Sequence, residues 1–118
     1  MTNPLHDLAG VEEIVISFVR PDGTTGSTPI WDVEVGDEIY VRSAGGPSGG
    51  WYRRLRANPD GEVRHGRTTY PVRAEPVDDA DLLTKITEAY RHKYRSSPSL
   101  RPFATPEAVS ATFRLRVR

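Results

Sequence analysis

The feature that most constrains this chain is a change of hydrophobic period near Asp79. Before it, apolar residues come in short, β-branched runs cut by Gly and Pro; after it, Leu82, Leu83, Ile86, Tyr90 and Tyr94 recur at helical spacing. Asp78 or Asp79 stands where an N-cap belongs, and Ser96-Ser97-Pro98 stops the run, so one long helix is expected there.

The runs before it read as strands. Glu13 to Val19 ends at Arg20-Pro21-Asp22-Gly23, in which Pro presets φ and Gly accepts a positive one. Ser27 to Val35 alternates, with Trp31, Val33 and Val35 on one face and Ile30, Asp32 and Glu34 on the other. Gly36-Asp37 then turns the chain into Glu38 to Ser43. Three strands joined by short turns predict an antiparallel meander. Trp51 to Ala57 suits a short helix that Asn58-Pro59-Asp60-Gly61 ends. Glu62 to His65 and Thr68 to Val77 form a further hairpin about Gly66-Arg67. Thr105-Pro106-Glu107 has the cap, first-turn Pro and first-turn acid of another short helix, and Thr112 to Arg118 alternates as a closing strand. The expectation is an α+β, mainly β fold, a small curled sheet or barrel of five to seven antiparallel strands with one long helix and one or two short ones.

At 118 residues the chain is sized for one domain, residues 1–118, with residues 1–12 a short flexible or helical lead-in. No run approaches the ~18 apolar residues of a membrane span, and Met1 to Asp7 lacks the basic and apolar stretches of a signal peptide; a cytosolic chain without membrane contact is expected. It has no Cys, so disulfides and thiolate metal sites are excluded. His6, His65 and His92 lie far apart, none at a metal-ligand spacing, and no metal is assigned. The 16 basic and 16 acidic residues cancel, which argues against a nucleic-acid partner. Fourteen of the basic residues are Arg and the first Lys is Lys85. Arg suits planar gripping of phosphate or carboxylate.

One stretch is built to hold an anion. Arg42-Ser43-Ala44-Gly45-Gly46-Pro47-Ser48-Gly49-Gly50-Trp51-Tyr52-Arg53-Arg54 joins a strand end to a helix start. Its glycines, Gly49 and Gly50 nearest the helix, let backbone N–H groups approach a ligand closely. Arg42, Arg53 and Arg54 add charge; Trp51 and Tyr52 add flat faces. A phosphate joined to a planar ring is the ligand this pattern suits. The alternative is a glycine-rich hairpin and an amphipathic helix with its Trp in the core and its arginines in water.

The order of a strand ending in Arg20-Pro21-Asp22-Gly23, a strand holding Pro29-Ile30-Trp31, a strand reading Ile39-Tyr40-Val41-Arg42-Ser43, a glycine loop and Trp51-Tyr52-Arg53-Arg54 resembles an uncharacterised bacterial domain family. That family looks like a branch of the split β-barrels that bind FMN or deazaflavin, the pyridoxamine-phosphate-oxidase-like and deazaflavin-dependent nitroreductase-like proteins. The resemblance runs from about Ile14 to Val117, including Ala89-Tyr90-Arg91-His92-Lys93-Tyr94 and Thr105-Pro106-Glu107-Ala108. It implies a homodimer with the ring at the subunit interface and the phosphate held around the third strand and the following loop. By position, Arg42 and Ser43 match the residues ending that strand, Trp51, Arg53 and Arg54 match the segment after the loop, and Pro29, Ile30 and Trp31 match the strand beneath the ring. Related deazaflavin proteins place Lys among the phosphate ligands, and no Lys precedes Lys85. Either Arg substitutes or the tail site is lost.

Two functions follow. In one the protein binds FMN or deazaflavin non-covalently and passes hydride to a small organic acceptor, with Tyr40 and Tyr52 as the proton-donor candidates, although a buried Tyr more often packs with its hydroxyl satisfied. In the other the barrel is a cofactor-free small-molecule binding module, or a cofactor-independent enzyme using the vacated pocket.

Overall fold

The computed structural model describes residues 3–118. Seven strands make one antiparallel sheet: β1 (Ile14–Val19), β2 (Thr25–Ile30), β3 (Asp32–Val35), β4 (Glu38–Arg42), β5 (Asp60–His65), β6 (Thr68–Pro76) and β7 (Thr112–Val117). Their order across the sheet is β2-β1-β5-β6-β7-β4-β3. The two edge strands, β2 and β3, are consecutive in the chain and separated only by Trp31. One residue cannot span a flat sheet of seven strands spaced ~4.8 Å apart, so the sheet curls until its edges meet, which makes it a split barrel.

The expected three-strand meander is therefore corrected. Ser27 to Val35 is not one strand: β2 pairs with β1, Ile30 opposite Ile14, while β3 pairs with β4, Val33 opposite Tyr40. Alternation runs unbroken through a one-residue corner, so periodicity alone cannot reveal a change of partner.

Inward residues of the strands fill the barrel: Ile14, Ile16, Ile30, Ile39, Val41, Val63, Val72, Ala74, Phe113 and Leu115. The lead-in contributes as well, since Pro4–Gly10 forms a 3₁₀ helix whose Leu5 and Leu8 are buried in the same core. Met1 and Thr2, part of that lead-in, lie outside the described residues. The helix α1 (Gly50–Ala57) packs Tyr52 and Leu55 into this core. On β7, Phe113 and Leu115 point in while Arg116 faces water, as the alternation predicts.

A second layer forms where α2 (Ala80–Lys93) crosses β3 and β4. Asp79 caps it, accepting from the Leu82 N–H at 3.1 Å, and Ile86, Tyr90 and the following Tyr94 pack on Val33 and Tyr40. The strap from Ser96 to Ala104 leads from there to α3 (Pro106–Val109), which Thr105 caps through the Ala108 N–H. Among the described residues no helix is long and apolar enough to cross a membrane.

Candidate functional site

A cleft of about 360 Å³ opens where the barrel's two edges meet. One wall is Pro29, Ile30 and Trp31. The floor is Arg42, Ser43, Ala44, Gly45 and Gly49, with Trp51 beside it, and Glu13, Ser99 and Phe103 complete the rim. Seven residues singled out from sequence thus share one cavity: Pro29, Ile30, Trp31, Arg42, Ser43, Gly49 and Trp51. Its volume lies within the roughly 300–1,000 Å³ of small-molecule sites.

Arg42 is the cleft's cation, with Glu13 on the exposed rim, and it is almost wholly buried, 1% exposed. Its Nε donates to Thr112 Oγ1 at 2.9 Å, Nη1 to Thr87 Oγ1 at 2.6 Å and to the Phe103 carbonyl at 3.1 Å, and Nη2 to the Leu83 carbonyl at 3.2 Å. Guanidinium has five N–H donors, so one on Nη2 is left over. All four acceptors are neutral, and no carboxylate pairs with Arg42 among the described residues. Burial accordingly pulls its pKa down, and its nearest compensation is the Tyr90 ring, 5.6 Å from the guanidinium carbon.

Trp31 has both faces covered. Tyr94 lies 3.9 Å away at 2° between planes and Phe103 lies 4.9 Å away at 13°, so a ligand meets the ring's face only if one neighbour leaves. Trp51, half-buried, makes an edge contact with Tyr52 and a tilted one with Phe113.

The glycine loop is tightly built. Gly46 takes φ of +73°, and a Cβ on Gly49 would clash with Ser43 Oγ. Side-chain volume is thereby kept off the cleft floor. The Gly49 cap of α1 brings no side-chain hydrogen bond to the helix N-terminus.

The remaining candidates lie elsewhere. Arg53 lines a separate open groove with Pro47, Tyr52, Arg56, Ala57 and Ser110, while Gly50 and Arg54 line neither cavity. Tyr40, 2% exposed, faces the α2 layer, where its hydroxyl accepts from Arg114 Nη2 at 3.2 Å. Tyr52 stacks on Phe113 at 4.6 Å, its hydroxyl reaching the Ser110 carbonyl at the long limit of 3.5 Å. Neither tyrosine lines the cleft.

Two further residues stand out that the sequence pattern does not single out. Phe103 belongs to a strap without periodic pattern. Asp32 is fully buried beside the Trp31 corner; Lys93 Nζ donates to its Oδ1 at 3.2 Å, and its Oδ2 has no partner among the described residues. Burial pushes its pKa up to about 6 against the pull of Lys93. The available signal was an Asp on the same strand face as Ile30.

Residues 4–115 match the family described as "Uncharacterized protein conserved in bacteria (DUF2255)". The chain belongs to that family. No curated protein matches this DUF2255 chain in sequence. Among solved structures it is similar to Campylobacter jejuni ChuZ, with TM-score 0.72, 8% identity and 97% of this chain covered, although it spans only 50% of ChuZ. It is similar to HutZ, the heme storage protein from Vibrio cholerae, with TM-score 0.68 and 11% identity over 100% of this chain and 90% of that one. It is also similar to an FAD-binding protein from Mesorhizobium loti, with TM-score 0.62 and 19% identity over 94% and 84%. At these identities the likeness establishes the split-barrel fold of the DUF2255 chain.

Proposed function

We propose that the cleft binds a flat, anionic cofactor of the flavin type, FMN or a deazaflavin, and that the protein is a homodimeric oxidoreductase passing hydride to a small organic acceptor. The observation that carries this reading is Arg42, a buried cation with no carboxylate paired to it among the described residues, set in a cavity walled by Trp31, Trp51 and Phe103. A buried charge without a counter-ion is costly, and a ligand anion would relieve that cost.

The donor set fits such a group. Arg42's remaining N–H and the Ser43 hydroxyl would hold its anionic end, the Gly45–Gly49 floor would let it approach, and Trp51 would lie against the ring. When bound, the cofactor supplies hydride transfer; the protein's share is position, electrostatics and exclusion of water. Among the described residues the cleft lining offers no His, Met, Cys or Tyr as an axial ligand, which favours flavin over heme. The FAD-binding protein of the same fold adds support by analogy.

A second reading, a small-molecule binding module without cofactor, is favoured by two placements: Arg53 and Arg54 lie outside the cleft, and Trp31 has no free face. Absorption spectra and calorimetric titration with FMN, FAD and deazaflavin decide between them. Binding at micromolar affinity or better, with a perturbed chromophore, is expected; absence of binding to all three overturns the cofactor reading.

A further inference from the structure

Phe103 meets both of the cleft's selective groups at once. Its ring lies on Trp31, and its carbonyl accepts from Arg42 Nη1 at 3.1 Å. The strap that carries it is held by the side chains of Leu100 and Phe103, which pack on the α2 layer, Phe103 also stacking on Tyr90 at 5.1 Å, and by little backbone bonding. No residue of its 3₁₀ turn, Arg101–Ala104, is buried. Its backbone N–H bonds are local, from Ser97 to the Tyr94 carbonyl, Ser99 to Ser97 Oγ, Leu100 to the Ser97 carbonyl and Phe103 to the Leu100 carbonyl. Among the described residues, the hydrogen bond joining the strap to the barrel is the one from Arg42 to Phe103. Segments tied to the rest of the fold by so few hydrogen bonds open at a lower free-energy cost than the strands of the barrel.

In a phenylalanine residue the carbonyl carbon is joined to the ring through two carbons, Cα and Cβ. That is the skeleton of a 3-arylpropanoate. We propose that Phe103 is an internal stand-in for a ligand of this class, and that an aryl carboxylate with a two-carbon spacer displaces the strap. Its ring then takes the face of Trp31 that Phe103 covers, and its carboxylate takes Arg42. The exchange favours the ligand because a carboxylate makes charge-assisted bonds roughly twice as strong as a neutral carbonyl's, and it neutralises a buried cation. The inference rests on the cleft being the ligand site; it names the class of small organic ligand, whose carboxylate would take the Nη1 contact that the Phe103 carbonyl now holds.

The test is calorimetry of the full chain with 3-phenylpropanoate and, as a charge control, 3-phenylpropanamide. The carboxylate is expected to bind at least about tenfold tighter than the amide, since the charged acceptor is the stronger one. Phe103→Ala is expected to bind the carboxylate roughly threefold to tenfold tighter than the wild type, the factor an aromatic stack represents. Phe103→Leu, which fills the space without the stack, must show a gain in the same direction and serves if the alanine variant does not fold. An unchanged or weakened affinity in a folded Phe103 variant overturns the proposal, as does failure of every form to bind 3-phenylpropanoate. Parallel FMN titrations separate the two readings: FMN binding without these gains leaves the cofactor and removes the stand-in, whereas the gains without FMN binding do the reverse.

Discussion

Lys93 grips Asp32 twice, its ammonium donating to the backbone carbonyl at 2.7 Å and to carboxylate Oδ1 at 3.2 Å. Even so, burial dominates, and the Asp32 carboxyl titrates at about 6 where an unburied one has 3.8. The folded state therefore binds more protons than the unfolded state between these values, and stability falls as pH rises through that window. The loss amounts to about 2–3 kcal/mol by pH 7. Urea unfolding across pH 4–7 should show this slope in the wild type, and it should be missing in Asp32→Asn.

Adjacent glycines are expected to respond in opposite ways. In Gly49→Ala the new Cβ would clash with Ser43 Oγ and lie 3.3 Å from the Gly46 carbonyl, whereas at Gly50 nothing lies within 4 Å. Overpacking of this kind costs about 1–3 kcal/mol. Gly50→Ala, in the first turn of α1, should be neutral or stabilising by up to ~1 kcal/mol. Chemical denaturation of the pair checks the contrast, and only the Gly49 variant should lose affinity for a ligand of the cleft.

Tyr94 should matter through its hydroxyl as well as its ring. The oxygen accepts from the Asp32 N–H at 3.3 Å and donates to the Glu12 carbonyl at 2.6 Å. Tyr94→Phe keeps the stack on Trp31 yet strands a buried amide, so a loss of about 1–3 kcal/mol is expected. Far-UV circular dichroism of the folded variant should stay unchanged, and its denaturation midpoint measures the loss.

Phe113 sits where the barrel's contents meet α1, fully buried and stacked on Tyr52. Phe113→Ala should destabilise by about 3–5 kcal/mol through lost burial and the cavity left behind. The denaturation midpoint measures it, and a loss below ~1 kcal/mol would mean that α1 collapses into the gap.

Much of this was legible in one dimension because the relevant physics is local. Caps at Asp79 and Thr105, the Gly66 hairpin and the alternation of Thr112–Val117 each depend on a few neighbouring residues. The cleft was legible because β4 runs directly into the glycine loop and α1. Three features depended on distant partners and were not. Trp31 turns the chain from one sheet edge to the other, which shows only once β1 and β4 are known as partners. Arg53 is two residues from Trp51, but a helix sends such residues to different faces, so charge and ring open on different cavities. Phe103 acquires its place from Trp31 and Arg42, far away in the chain.

The seam where β2 and β3 approach has a consequence for colloidal behaviour. Unpaired strand edges template ribbon growth between molecules. Here β2 carries Pro29, which has no N–H to offer, and β3 is four residues long. Three groups at the corner are already engaged by α2 and the residue after it: Tyr90 on the Trp31 carbonyl, Lys93 on the Asp32 carbonyl and Tyr94 on the Asp32 amide. Pro29 and Trp31, which shape the cleft wall, thus stand where this edge offers few free backbone groups for ribbon growth.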